Sequence, residues 1–199
     1  MIDEPGVQKE VSYPTGECPE PQLWHCYDGM ATEVEVLKFL KALVEVSKPK
    51  VIVETGTYLG YGTCYLAQGV KENGFGHVYT AEVNIDFAEA AKRRLIDADL
   101  YGYVVQIVEN GQNMISGMHG PIDFAFLDSD LYTRLPELEV LYPKLSQSAL
   151  VVVHDTGRQH DGPGTGPRSQ MAWFAKQHQM QILNLDTPRG VVIMRRQVL

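Results

Sequence analysis

The feature that most constrains the fold is a regular alternation between short apolar runs and longer stretches with helical periodicity. Runs rich in Val, Ile and Phe predict buried strands, and strands that alternate with helices predict a parallel sheet covered on both faces. The strands are expected at 50–55, 77–82, 103–108, 122–127 and 149–154, and the helices between them at 61–71, 86–97, 111–116 and 135–145.

The two ends of this region extend the pattern. A helix is expected from Thr32 to Pro49, with Thr32 as its cap and Glu35 three residues later as the partner in a capping box. The last two strands, 181–186 and 190–196, are expected to form an antiparallel hairpin. The sequence therefore predicts an α/β fold, a Rossmann-like three-layer sandwich whose mostly parallel seven-stranded sheet carries an antiparallel C-terminal hairpin strand.

Residues 1–28 are expected to form an irregular N-terminal arm, followed by a single domain at 29–199. The arm contains several prolines and lacks clear periodicity, and Trp24 and Tyr27 lie near its end. We interpret the arm as a tether onto the core or onto a second subunit, which leaves a homodimer open. A lid over a substrate is the alternative.

Charge and composition exclude several classes of function. The net charge of −8 argues against a nucleic-acid partner, because phosphate binding needs clustered Lys and Arg. The longest apolar stretch, 149–153, is too short to span a bilayer, and no signal-peptide core is found at the start. Three cysteines without a CxxC pair indicate neither a disulfide framework nor a zinc cluster. A cytoplasmic location without membrane contact is expected.

The first strand leads into a glycine turn, in the stretch VIVETGTYLGYGT (51–63). Glu54 lies near the end of the strand, and the glycine spacing is G-x-x-x-G-x-G. This spacing lacks both the G-x-G-x-x-G of dinucleotide sites and the lysine-containing pattern of phosphate loops. A turn that carries an acid and no base is poorly suited to pyrophosphate, but it suits a ligand with a positive centre.

A second acid, Glu82, closes the second strand. A carboxylate at this place can accept hydrogen bonds from two ribose hydroxyls, as in NAD sites. The alternatives for Glu82 are a solvated strand end or a partner of a helix N-terminus. On this feature alone NAD and other nucleosides are not separable, but the glycine spacing disfavours NAD.

Five motifs now follow one another in order: ETGTYLGYGT, TAEVNIDFAEAAKRRL, IVENGQNMI, FAFLDSD and LVVVHDT. Together they resemble the class I S-adenosylmethionine-dependent methyltransferases. The chain is most similar to the small O-methyltransferases of the catechol O-methyltransferase type, from about residue 30 to the end.

The resemblance implies S-adenosylmethionine as the cofactor and a set of residues that hold it. Glu54 is expected at the methionine part, Glu82 at the ribose, and Gly111 with Gln112 at the adenine. The complete implied set is Glu54, Gly56, Thr57, Tyr58, Gly60, Tyr61, Thr63, Glu82, Val83, Gly111, Gln112, Asp128 and Ser129.

The resemblance also raises the question of a metal. In the catechol-type family Mg or Mn sits on two aspartates and an asparagine, binds the acceptor hydroxyls and lowers their pKa. Asp128 and Asp155 match the two aspartates and are the first two catalytic candidates, but the third ligand position is Thr156. The position of the family's catalytic lysine is Leu131. The alternatives are that Asp128 only shapes the cofactor pocket and that Asp155 caps a turn, so metal use is left open.

The polar loop after the fifth strand offers a third catalytic candidate. His160 or Asp161 can act as a general base in an enzyme that uses no metal, since histidine titrates near neutrality. The alternative is a surface histidine on a mobile loop. On the following helix, Trp173 and Phe174 are expected in the core and not at an acceptor platform.

These patterns predict a methyltransferase that uses S-adenosylmethionine and O-methylates a small hydroxylated molecule, with or without a divalent metal. The departures at Leu131 and Thr156 motivate an alternative, a cofactor-binding protein of the same fold without methyl-transfer activity. An NAD-linked enzyme is a third option, disfavoured by the glycine spacing.

Overall fold

The computed structural model describes residues 23–162 and 164–197, which contain a seven-stranded sheet with helices on both faces. The strands are β1 (Val51–Thr55), β2 (His77–Glu82), β3 (Val104–Val108), β4 (Ile122–Leu127), β5 (Leu145–His154), β6 (Met180–Leu185) and β7 (Val191–Arg196). The helices are α1 (Val34–Ser47), α2 (Tyr61–Asn73), α3 (Ile85–Asp97), α4 (Gly111–Gly117), α5 (Arg134–Leu141) and α6 (Pro167–Gln177).

The strand order across the sheet is β3-β2-β1-β4-β5-β7-β6. Strands β1 to β5 pair in parallel, whereas β7 is antiparallel to both β5 and β6. The predicted sheet, including its antiparallel hairpin strand, is confirmed. The order reverses between β1 and β4, and in open α/β sheets ligands bind at the carboxyl ends of the strands beside such a reversal.

Alternating side chains divide the core into two layers. On the central strands, Ile52 and Phe126 pack with α1 and α2 on one face, whereas Val53 and Leu127 pack with α4, α5 and α6 on the other. This period of two is the one that a strand buried on both faces produces, and it accounts for the continuous apolar runs in the sequence.

The expected capping box at the first helix is wrong. The N-cap residue of α1 is Glu33, and no side chain caps the helix. The Thr32 hydroxyl donates instead to Asp128 Oδ2 at 2.6 Å, and Glu35 accepts from the backbone and ring nitrogens of His25. Tertiary partners therefore take both side chains that the local motif would have used.

Three further expectations need correction. Strand β5 begins at Leu145, four residues before its apolar run. The sequence does not indicate this start, because the polar residues Ser146, Gln147 and Ser148 interrupt the apolar pattern. Helix α5 ends at Leu141 and continues only as a 3-10 turn. Phe174 is buried as expected, but Trp173 is 52% exposed and is not a core residue.

Most of the expected N-terminal arm, residues 1–22, lies outside the described residues. Of its aromatic end, Tyr27 is buried: its ring stacks on Tyr61 at a centroid distance of 4.6 Å, and its hydroxyl lies 2.6 Å from the hydroxyl of Tyr65. Among the described residues, no helix combines the length and apolar character needed to cross a membrane.

Candidate functional site

A pocket of about 670 Å³ opens at the carboxyl edge of the sheet, around the point where the strand order reverses. Residues that follow each of the strands β1 to β5 line it, together with the segment before α1 and the turn between β6 and β7. Its volume lies in the range of small-molecule sites.

The glycine turn after β1 forms one wall of this pocket. Gly56 has a φ of +84°, and a Cβ atom there would collide with the backbone of Asp128. A Cβ atom at Gly62, in the first turn of α2, would lie 2.6 Å from Glu54 Oε1. Glycine at these two positions therefore keeps the turn against β4 and leaves Glu54 room beneath the start of α2.

Glu54 lies at the base of the pocket and is 1% exposed. Its Oε2 accepts from the hydroxyls of Thr63 at 2.5 Å and Thr80 at 2.7 Å. Burial raises the pKa of this carboxyl to about 8, an effect that the two hydroxyls oppose and the nearby charges of Asp128 and Glu82 reinforce. A cationic ligand beside Glu54 would favour its ionised form.

Glu82 at the end of β2 joins two loops while lining the pocket. Its Oε2 accepts from the backbone N–H of Tyr58 at 2.7 Å, and its Oε1 accepts from the N–H of Asn84 at 2.9 Å. Since each carboxylate oxygen has a second lone pair, Glu82 keeps acceptor capacity toward the pocket. Asn84 caps α3 through Asp86 and Phe87, so Glu82 supports the helix start without being its cap.

The side of the pocket after β3 is formed by the start of α4. Gly111 and Gln112 line it. Glu137 lines the pocket beside them and accepts from Thr55 and Ser129, each at 2.8 Å, and burial raises its pKa against these hydrogen bonds. This buried acid, which the sequence analysis missed, ties β1, the loop after β4 and α5 together.

Asp128 and Asp155 meet at the opposite side, after β4 and β5, as the parallel pairing predicts. Asp155 has a φ of +54°, so the chain has turned at this residue and His154 lies on the same side as Asp128. Oxygen and nitrogen atoms of Asp128, His154 and Asp155 all lie within 4.8 Å of one another, a spacing compatible with a metal ion.

These acids are surrounded by basic side chains that the sequence analysis did not select. Arg134 at the start of α5 is 1% exposed, and Arg189 in the turn between β6 and β7 is 9% exposed. Both donate to Asp155. An arginine within the apolar pattern of α5 was the one available signal, whereas nothing local distinguished Arg189 from an ordinary turn residue.

The charges in this region shift one another's pKa values. Burial alone would lower the pKa of His154, but Asp128 and Glu33 outweigh it and raise that pKa to about 9. Burial would likewise raise the pKa of Asp155, yet His154, Arg189 and Arg134 hold it well below its usual range. The pKa of Glu33 is lowered in the same way: burial opposes the shift, and His154 overcomes it.

Most residues of the predicted cofactor set line the pocket: Glu54, Gly56, Thr57, Tyr58, Tyr61, Glu82, Val83, Gly111, Gln112, Asp128 and Ser129. Gly60 and Thr63 stand behind this lining, Gly60 as the left-handed N-cap of α2 and Thr63 as the donor to Glu54. Thr156 is buried, with its N–H bonded to the carbonyl of Gly190, and His160 lies in a 3-10 turn; neither lines the pocket.

Comparison with known proteins agrees with this architecture. A methyltransferase domain family matches residues 53–156, just over half of the chain. A catechol O-methyltransferase from Niastella koreensis is 29% identical over 152 residues, which cover 68% of this chain and 63% of that protein. A probable O-methyltransferase from Mycobacterium tuberculosis is 32% identical over 109 residues, 50% of this chain and 46% of that protein. The chain thus aligns with less than two thirds of the length of either relative.

A solved structure extends the comparison to the fold. The O-methyltransferase TomG from Streptomyces achromogenes, which was crystallised in complex with S-adenosylmethionine, superposes with a TM-score of 0.72 at 20% identity. The match covers 85% of this chain and 82% of TomG. The shared sheet shows the fold of class I S-adenosylmethionine-dependent methyltransferases. At the level of sequence, the chain is related to catechol O-methyltransferases at modest identity. The chain therefore belongs to the methyltransferase domain family.

Proposed function

We propose that the protein is an S-adenosylmethionine-dependent O-methyltransferase that acts on a small hydroxylated molecule. The observation that carries this proposal is the pocket at the sheet edge, where Glu54 and Glu82 stand at the ends of adjacent strands beside a glycine turn. The relatives that are named O-methyltransferases support the same reaction.

The cofactor end of the pocket lies after β1, β2 and β3. Glu54 would stabilise the positive charge of the methionine part, Glu82 would accept hydrogen bonds from the ribose, and Gly111 would border the adenine. When bound there, S-adenosylmethionine supplies a methyl group on a sulfonium, ready for in-line displacement by an acceptor oxygen.

The acceptor end lies after β4 and β5, on the other side of the sheet reversal. Asp128, Asp155 and Arg189 form its polar wall, and Met30 and Ala31 add apolar surface from the segment before α1. A pocket of this size that contains both apolar and acidic groups suits a compact hydroxylated molecule, and the net charge of −8 disfavours a nucleic acid.

Methyl transfer to oxygen requires the acceptor hydroxyl to lose a proton. Asp128 is suited to accept it, because its carboxylate lines the pocket and keeps 15% of its side chain exposed. The Thr32 hydroxyl and His154 Nδ1, at 2.6 Å and 2.9 Å, fix its orientation. Of the catalytic candidates, His160 does not line the pocket, so it is the weaker candidate for this proton transfer.

Isothermal titration with S-adenosylhomocysteine tests the cofactor part of the proposal. We expect saturable binding at one site, and weaker binding by Glu82→Ala. The exposed Glu89 on α3, which does not line the pocket, offers the matched control Glu89→Ala with unchanged affinity. Failure to bind with ligand in the millimolar range would overturn the proposal, and unchanged affinity of Glu82→Ala would remove the ribose contact.

Turnover separates the enzyme from its alternative, a cofactor-binding protein without activity, which Leu131 and Thr156 motivate. A panel of phenols and sugar-like polyols, followed by mass spectrometry for a gain of one methyl group, is the direct assay. Formation of a methylated product by the wild-type protein supports the proposal that it is an enzyme. The product should be lost in Asp128→Asn while that variant still binds S-adenosylhomocysteine. Binding without any product across the panel favours the alternative.

A further inference from the structure

Six charged residues at the acceptor end form a compact, charge-balanced group, here called the charge cluster: Glu33, Asp128, Asp155, Arg134, Arg189 and His154. Three carboxylates face three basic groups. This is the place where a metal-dependent relative would hold a divalent cation, so the ligand capacity of each acid decides whether one fits here.

His154 has no nitrogen left for a metal. Its Nδ1 lies 2.9 Å from Asp128 Oδ1 and its Nε2 lies 2.6 Å from Glu33 Oε2. Each carboxylate can only accept, so a hydrogen on each ring nitrogen satisfies both contacts and makes the ring a cation. Because His154 and Glu33 are fully buried, this ring cannot turn outward to serve as a ligand.

Both oxygens of Asp155 are bound by guanidinium groups. Oδ1 accepts from Arg189 Nε at 2.6 Å, and Oδ2 accepts from Arg134 Nη2 at 2.9 Å and from Arg189 Nη2 at 3.0 Å. The pairing with Arg189 is bidentate, the strongest geometry for such a pair.

The two arginines are themselves fixed by backbone carbonyls. Arg134 donates to the carbonyls of Ser129 and His154. Arg189 donates to the carbonyls of Met30 and Ala31, and both of these distances are 3.1 Å. An ion that displaced either guanidinium from Asp155 would leave a buried positive charge without its carboxylate, beside a new positive charge.

Asp128 completes the cluster at its pocket side. Its Oδ2 accepts a hydrogen bond from the Thr32 hydroxyl at 2.6 Å. Its Oδ1 accepts from His154 Nδ1 at 2.9 Å and from Arg134 Nη2 at 3.4 Å. The chemistry of the cluster is therefore that of a site already neutralised by fixed cations. Its residues do not fit a resident Mg or Mn ion, although their spacing alone would permit one.

From these contacts we infer that Arg134, Arg189 and His154 take the place of a divalent cation, so that methyl transfer at this site is independent of metal. The inference rests on the proposed function. Arg134 and Arg189 are positioning residues: they hold Asp155 and, through Arg134, Asp128, at the acceptor end of the pocket. The acceptor's proton passes to Asp128, and no metal-bound intermediate is part of the reaction.

Metal binding is tested directly, without reference to activity. Mn²⁺ is titrated into the wild-type protein, alone and saturated with S-adenosylhomocysteine, and free Mn²⁺ is followed by electron paramagnetic resonance. We expect no saturable binding with the metal in the micromolar range. Saturable binding that is abolished by Asp155→Asn would overturn the inference, while the accompanying titration with S-adenosylhomocysteine reports separately on the proposed function.

Turnover on an acceptor found in the methylation screen gives the second test. Wild-type turnover should be unchanged by EDTA or by added Mg²⁺, and Arg134→Gln should lower kcat about tenfold or more while S-adenosylhomocysteine affinity stays within about twofold. The control Arg168→Gln removes an arginine whose partner, Asp186, lies on the surface, and should leave kcat unchanged. Loss of wild-type turnover in EDTA that Mg²⁺ restores would overturn the inference. If Arg134→Gln does not fold, the wild-type measurements still decide.

Discussion

At the scale of single residues, we expect Glu54 to couple its protonation to cofactor binding. Its pKa of about 8 means that the carboxyl carries a proton at neutral pH when the pocket is empty. A cation beside it lowers this pKa, so binding at neutral pH must release the proton.

We therefore expect the affinity for S-adenosylmethionine to rise with pH by up to about tenfold per unit below about pH 8, and to level off above it. Titration calorimetry in phosphate and Tris, which differ in their heats of ionisation, measures the released proton. Glu54→Gln should bind more weakly and without pH dependence. Equal wild-type affinity at acidic and alkaline pH would contradict this role of Glu54.

The sequence predicts the acids of the site better than its bases. Glu54, Glu82, Asp128 and Asp155 end strands of a parallel sheet, so the strand pattern alone brings them to one edge. The two arginines, Arg134 and Arg189, reach this edge from a helix start and from a turn about 35 residues beyond β5, and only the tertiary fold determines that approach.

At the scale of elements, α1 and α2 pack closely because Gly69 presents no side chain to Val44. A Cβ atom at Gly69 would lie 2.8 Å from Val44 Cγ1 and 3.2 Å from the carbonyl oxygen of Lys41. Helix propensity favours alanine over glycine by up to about 1 kcal/mol, but overpacking typically costs about 1–3 kcal/mol.

Gly69→Ala should therefore lower the free energy of unfolding by about 1–2 kcal/mol, measured by urea denaturation. The control is Gly117→Ala at the end of α4, where a Cβ atom meets nothing within 4 Å and stability should be unchanged or slightly higher. In a Val44→Ala background, Gly69→Ala should lower the free energy of unfolding by less, because the Cγ1 atom that the new Cβ would meet is absent. Equal stabilities of the two glycine variants would mean that the helices can separate at little cost.

The types of the elements and most of their boundaries can be predicted from the spacing of apolar residues. Burial of the sheet on both faces makes the strands apolar throughout, and burial of one face of each helix gives it a helical period. Four of the five expected helix starts lie within one residue of the observed ones. The capping box expected at Thr32 is wrong because Asp128 binds Thr32 and His25 binds Glu35. Likewise, the polar start of β5 resembles a loop, because strand pairing there is not matched by burial. Local patterns therefore lose predictive value where tertiary contacts bind the same side chains or where a strand extends beyond the buried core.

At the scale of the whole molecule, pH dependence of stability follows from two groups that keep a proton on folding. His154 has its pKa raised from 6.5 to about 9, so its contribution is complete below 6.5 and is lost as the pH rises to about 9. Glu54 has its pKa raised from 4.5 to about 8, so folding also weakens as the pH rises through this range. Asp155 and Glu33, with lowered pKa values, lose their contribution only in acid.

The free energy of unfolding should thus fall on the order of 6 kcal/mol between about pH 5.5 and about pH 9, with about 3 kcal/mol from each of the two groups. Urea unfolding at several pH values measures it, and Glu54→Gln should flatten the part of the curve below about pH 8. Stability that stays constant or rises over this interval would show that His154 and Glu54 do not keep their protons in the folded protein.

The contact of Arg189 with the carbonyls of Met30 and Ala31 joins segments nearly 160 positions apart in the chain. During synthesis, the strand ends that form the cofactor half of the pocket leave the ribosome long before the β6–β7 turn does. The wall that we propose for the acceptor is consequently the last part of the pocket to be completed, and a growing chain has no finished pocket until that turn has emerged.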